Sequence, residues 1–242
     1  MLGARGAVLE RDFAFGIARQ LFEQTVLAAT GAERQALFAG AAGLAERLVG
    51  EGGPGLASRD GDAEFGALHG LYWLTANLAD EGPLLLSVDD AHWADPSSLR
   101  FLGYLSRRLE GLPVLLVAAG RPADPEGTGL WRELADDPAA QVLGPQPLTE
   151  AGAGVVVRGR LGEDAADEFC RACHGATGGN PLFLRELVAA LSEAEVAPTG
   201  AAAGTVSDVG PRAVGRFVLR RLAARPLRHV AGPRRGGARR RG

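Results

Sequence analysis

The residues best suited to chemistry stand in LLLSVDDAHWADP, Leu84 to Pro96. Two adjacent aspartates, Asp89 and Asp90, follow a short apolar run, and the carboxyl edge of a parallel strand is where open α/β sheets meet their ligands. Mg²⁺ prefers carboxylate and water oxygens. Asp89 therefore suits the positioning of a nucleotide-bound Mg²⁺, and Asp90 suits orienting or deprotonating an attacking water. The same string also reads as a charged strand-to-helix turn in which Asp95 or Ser97 caps the next helix.

A second constellation, Cys170, Cys173 and His174, spells the C-x-x-C-H pattern of haem attachment. Such haem requires export and a second axial ligand, often methionine. The only methionine is Met1, and Met1 to Arg11 lacks the basic start and apolar core of a signal peptide. The pair reads instead as reduced cysteines on a helix. A zinc site lacks a second C-x-x-C or paired histidines, and there is no G-x-S-x-G elbow for a serine hydrolase.

The elements that must position these residues follow from periodicity. PLLLSV, Pro83 to Val88, and PVLLVAA, Pro113 to Ala119, are continuous apolar runs, as expected for parallel strands covered on both faces. Between them Leu99, Leu102, Leu105 and Leu109 repeat as a helix over Ser97 to Leu109, giving a right-handed crossover. A third short strand is expected at Gln141 to Gly144. Upstream, three helices are predicted: Asp12 to Val26 with Phe13, Ile17 and Leu21 inward; Glu33 to Val49 with Leu37, Leu44 and Leu48; and Ala63 to Ala79 with Phe65, Leu68, Tyr72, Thr75 and Leu78. Gly50 to Asp62 reads as a surface loop. Downstream, helices are predicted over Thr149 to Leu161, Asp164 to Ala176, Pro181 to Ala194 and Pro211 to Ala224, and the last seventeen residues as disordered.

Composition sets bounds. The chain has 242 residues, 46% of them hydrophobic, enough for a sizeable core. It contains no lysine, so all 26 Lys+Arg positions are arginine and no complete Walker A phosphate loop is encoded in it. The formal charge of −3 hides an asymmetry: 11 arginines and no acid follow Asp208, leaving 15 arginines against 29 acids up to and including it, a body of −14 and a tail of +11. An acidic body is poorly suited to gripping nucleic acid, so only the tail offers a basic arm. No apolar run is long enough to span a membrane, and a cytoplasmic protein is expected.

VDDAHWADPSSLRFLGYLSRRLEGLPVLLVAAGRP resembles the Walker B to sensor 1 region of the AAA/STAND-type P-loop ATPase domain in large LuxR-type bacterial transcriptional regulators. Upstream, ARGAVLERDFAFGIARQLFE and FGALHGLYWLTANLA are similar to the segments after the phosphate loop. Downstream, FCRACHGATGGNPLFLRELVAAL resembles the helical lid, and the likeness covers roughly residues 3 to 225. It implies an α/β fold: a partial P-loop NTPase (ASCE-type) parallel sheet lacking the Walker A strand over residues 1–147, followed by an α-helical lid over 148–225. An Arg-rich tail occupies 226–242.

Carried over residue by residue, the resemblance implies Asp89 for Mg²⁺, Asp90 for the catalytic acidic position and Arg121, ending the next strand, for a sensor 1 arginine facing the γ-phosphate of ATP. Gly179, Asn180 and Pro181 match the GxP element near the adenine. Asn180 is also a good N-cap and Pro181 a good first helical residue, so a structural role is sufficient by itself. Met1 to Leu9 corresponds to the strand after the family's first helix. The absent phosphate strand would be central, leaving its neighbours with unpaired backbone and uncovered apolar faces. The expectation is weak or no ATP binding and no appreciable hydrolysis. DNA would be reached only through a helix-turn-helix that this sequence lacks, and protein partners would be met through the helices. Two rival readings stand beside this one: a non-catalytic helical scaffold and an Arg-tailed nucleic-acid binder.

Overall fold

The computed structural model describes residues 1–50, 61–121, 129–209 and 215. Two compact units divide it, Met1–Leu143 and Gly144–Gly242. The expected loop over Gly50 to Asp62, the helix over Pro211 to Ala224 and the Arg-rich tail lie wholly or largely outside the described residues.

The first unit is mixed α/β. Among the described residues its sheet has three parallel strands in the order β1 (Leu2–Arg5), β2 (Leu84–Asp89) and β3 (Val114–Ala118). The register aligns Arg5 with Asp89 and Val88 with Ala118. Alternation then sorts the side chains. Leu84, Leu86 and Val88 point into the core with helices α1 (Gly16–Ala28), α4 (Gly61–Ala79) and α5 (Pro96–Ser106). Phe22 of α1 and Phe101 of α5 meet edge to face there, ring centroids 6.0 Å apart. Helix α6 (Leu130–Ala135) packs on α5.

The opposite face of the sheet differs from expectation. Leu115 and Val117 of β3 are 61% and 46% exposed, and Gly3 of β1 is open as well. Among the described residues, helices cover only one face, and the outer edge of β3 is unpaired. The apolar runs have the composition of doubly covered strands, but the covering layer on this side is not among these residues. The strand expected at Gln141 to Gly144 does not form. Val142 and Leu143 are exposed, because two apolar residues without a neighbouring strand have no ladder to join.

The helix expected over Glu33 to Val49 is broken into α2 (Gly31–Leu37), a 3₁₀ stretch (Gly40–Ala45) and α3 (Glu46–Val49). Gly40 adopts φ 61°, which ends the α-helical path, and Leu44 turns outward. This tight segment packs on α4 where Gly70 lies. A Cβ on Gly70 would meet the Ala45 amide nitrogen at 2.6 Å, so only glycine fits. Likewise Phe13 is exposed and Phe15 takes the core place, because α1 begins after Phe15 in a left-handed conformation (φ 60°). Phe65 is also exposed, whereas Thr75 is buried as expected, its hydroxyl donating to the Leu71 carbonyl at 2.8 Å.

The second unit is helical among its described residues. It contains α7 (Glu150–Leu161), α8 (Asp167–Thr177), α9 (Pro181–Glu193) and a helical segment at 203–209. Their apolar faces close on Val157, Phe169, Cys173, Leu184, Leu187 and Val206. No helix among the described residues is long and apolar enough to cross a membrane.

Candidate functional site

The carboxylate pair sits where β2 stops. The Asp89 carbonyl still accepts from the Gly6 amide at 2.8 Å, the last rung between β1 and β2. Asp90 then turns into the left-handed region (φ 49°, ψ 36°), and its carbonyl accepts from the Trp93 amide at 2.8 Å. A non-glycine residue there carries a backbone cost of about 1 kcal/mol or more, met by the surrounding bonds. Gly6 allows the close approach: a Cβ at that position would lie 2.4 Å from the Asp90 carbonyl oxygen.

Among the described residues, one cation faces both acids. Arg5, at the end of β1, places Nη2 at 2.8 Å and Nε at 3.1 Å from Asp90 Oδ2, with Nε 3.8 Å from Asp89 Oδ2. The hydrogen bond to Asp90, followed by the charges of Asp90 and Asp89, holds the Arg5 guanidinium above its ordinary pKa. The sequence reading missed Arg5. Its only signal was a strand ending in Arg-Gly whose partner, 85 residues on, ends in Asp-Asp.

The rest of the motif is structural. Asp95 is 2% exposed and caps α5, accepting from the Ser98 amide at 2.9 Å with Pro96 next in line. It also accepts from the amides of Phe15 at 2.7 Å and Ile17 at 3.4 Å, tying the start of α1 to the start of α5. Of the two expected caps, Asp95 therefore serves, and Ser97 instead donates to Glu64 at 3.2 Å. His92 is buried, its ring 4.9 Å from Trp93, and its Nδ1 accepts from the Arg121 amide at 3.4 Å.

Arg121 lies three residues beyond the end of β3 rather than on it. Its backbone is fixed on both sides, the carbonyl accepting from Trp131 Nε1 at 3.1 Å, while the residue itself is exposed. Asp89, Asp90 and Arg121 thus share the carboxyl edge of one sheet. Gly179, Asn180 and Pro181 belong to the second unit. Gly178 and Gly179 both take positive φ, and Asn180 Oδ1 caps α9 by accepting from the amides of Leu182 at 3.0 Å and Phe183 at 3.3 Å. The Gly179 carbonyl accepts from the Leu148 amide at 2.8 Å, and a Cβ on Gly179 would meet the Leu148 carbonyl oxygen at 2.2 Å. This geometry accounts for the motif as a helix start.

The two cysteines of the C-x-x-C-H segment are core. Cys170 and Cys173 are free thiols buried on α8. Burial pushes both thiols up, Cys173 to about 12, so neither is a ready thiolate. The His174 ring nitrogen Nε2 pairs with the Leu148 carbonyl at 3.0 Å.

The carboxylate pair suits a Mg²⁺ ion. Mg²⁺ keeps several waters and binds through one or two carboxylates. Asp89 and Asp90 converge on a single cation, the Arg5 guanidinium, and retain enough exposure for water ligands. Among the described residues there is no cluster of three or more His, Cys, Asp or Glu that would cage a metal on protein ligands alone.

No family profile matches the chain, and no solved structure matches it. An uncharacterized protein of Rhizobium meliloti (strain 1021) is 30% identical over 109 residues, 44% of this chain. That stretch is 10% of the relative's length, so the chain matches about a tenth of a much longer protein.

Proposed function

We propose that this chain is part of a nucleotide-binding regulatory ATPase module like that of LuxR-type transcriptional regulators, with a partial P-loop NTPase sheet and a helical lid. In this reading Asp89 positions the Mg²⁺ of ATP, Asp90 holds the attacking water and Arg121 senses the γ-phosphate. The observation that carries the proposal is the convergence of Asp89 and Asp90 on one cation at the carboxyl edge of β2. The outer edge of β3, unpaired among the described residues, gives it support, since a further strand bearing a phosphate loop would pair there. Without a lysine the chain lacks the ammonium that such a loop supplies, so nucleotide binding is weak and hydrolysis negligible.

Thermal unfolding with and without MgATP tests this. A Kd of about 1 mM gives roughly 1.4 kcal/mol of stabilisation at about 10 mM ligand. That raises the melting temperature by about 3–6 °C for a chain of this size, and the rise disappears in Asp89→Asn. No shift at that concentration places a non-catalytic scaffold ahead. That second reading is favoured by a groove of about 670 Å³ between α4, α5 and α6, lined by Phe65, Leu68, Tyr104, Arg107 and Leu134. Aromatic and arginine side chains of this kind anchor protein partners.

A further inference from the structure

We propose that Arg5 is a built-in competitor for the metal position, a resident cation that a divalent ion must displace before it can bind Asp89 and Asp90. This rests on the assignment of that pair to Mg²⁺. Arg5 is delivered by β1, whose register with β2 sets it opposite Asp89, so its approach is dictated by the sheet and not by a flexible loop. Both Nε and Nη2 reach the same oxygen, Asp90 Oδ2, at 3.1 and 2.8 Å, and Nε also faces Asp89 Oδ2 at 3.8 Å. A Mg²⁺ ion sits about 2.1 Å from a carboxylate oxygen. An ion on Asp90 Oδ2 would thus share that oxygen's coordination space with the guanidinium, and two cations so close repel each other.

The arginine side chain is more than half exposed, so it can swing into solvent without leaving a buried charge behind. Its departure opens the pair, and its return neutralises it. Free metal therefore binds weakly. A metal that arrives already carrying phosphate oxygens repels Arg5 less, and those oxygens give the displaced guanidinium a new acceptor. The contact then biases the pair toward metal–nucleotide complexes and against bare ions.

Mn²⁺ titration of the whole chain by electron paramagnetic resonance reads this without activity. At about 4 Å in water two unit charges shift an equilibrium by roughly fivefold, and a divalent ion at least doubles the exponent. Arg5→Gln is expected to bind Mn²⁺ about five- to thirtyfold more tightly than the parent, with Arg5→Lys close to the parent and the gain shrinking as salt rises. A salt bridge at a pair that holds no metal would change the melting temperature with no Mn²⁺ binding to tune. Equal or weaker binding in Arg5→Gln, with Asp89→Asn abolishing binding in both, overturns the role of Arg5 and leaves the metal assignment standing. Mn²⁺ binding that is absent throughout, or indifferent to Asp89 and Asp90, overturns both together.

Discussion

Replacing Asp95 by alanine should be among the most damaging single changes in the first unit, although the residue does no chemistry. Its carboxylate is 2% exposed and accepts from three backbone amides, those of Phe15 at 2.7 Å, Ser98 at 2.9 Å and Ile17 at 3.4 Å. Alanine leaves the two short bonds unmade inside the core, at about 1–3 kcal/mol each, while the long third bond adds little. The expected loss is about 3–5 kcal/mol, a large share of the roughly 5–15 kcal/mol that holds a domain together. Asp95→Asn keeps an oxygen for the two short bonds but loses the charge, so it should lose about 1–2 kcal/mol. All three tryptophans, Trp73, Trp93 and Trp131, lie in this unit, so their fluorescence during urea unfolding follows it alone. Ser97→Ala serves as the control, since its partner Glu64 also pairs with Arg100 at 2.8 Å. An alanine variant within about 0.5 kcal/mol of the parent would refute the account of Asp95 as the tie between α1 and α5.

Gly179→Ala forces a Cβ to 2.2 Å from the Leu148 carbonyl oxygen at φ 71°, so the second unit should lose at least about 2 kcal/mol by circular dichroism melting. Gly3→Ala, with open space around it, should be neutral within about 0.5 kcal/mol, and equal effects in the two would refute the steric argument. The Cys173 thiol is raised from 9.0 to about 12 in the fold, so burial favours its neutral form. Its contribution to stability is complete below the ordinary thiol range and is lost as pH climbs from there toward 12; urea midpoints that stay flat over that alkaline window would contradict it. Leu115→Lys with Val117→Thr should reduce self-association in light scattering while leaving the melting temperature nearly unchanged, because both side chains are already exposed. A collapse of the fold would show that this face is covered in the isolated chain.

What the sequence disclosed was local. The apolar runs located β2 and β3, the leucine repeat located α5, and Asn180-Pro181 marked the start of α9, because each signal is complete within a few residues. Errors arose where a single backbone angle decided the outcome. Gly40 at φ 61° split an expected helix, and Phe15 at φ 60° delayed α1 and exchanged Phe15 for Phe13 in the core. The acidic half of the candidate site was legible as Asp89-Asp90. Its cationic half was not, since the Arg-Gly that ends β1 says nothing by itself of a partner 85 residues away; only strand register brings Arg5 to the acids. The assignments of Arg121 and of Gly179 to Pro181 came from resemblance, and the geometry accounts for the latter as a cap without needing a ligand.

The pairing of β1 with β2 also bears on folding kinetics. Arg5 and Asp90 are 85 residues apart, and the intervening chain must fold back before the first strand can dock. Contacts of such long range form slowly. Until then Asp89 and Asp90 stand on a strand without their countercharge, so the electrostatic character of this edge reports whether the sheet has closed. A ligand that prefers the bare acids would slow the docking of β1, and one that prefers the neutralised edge would wait for it.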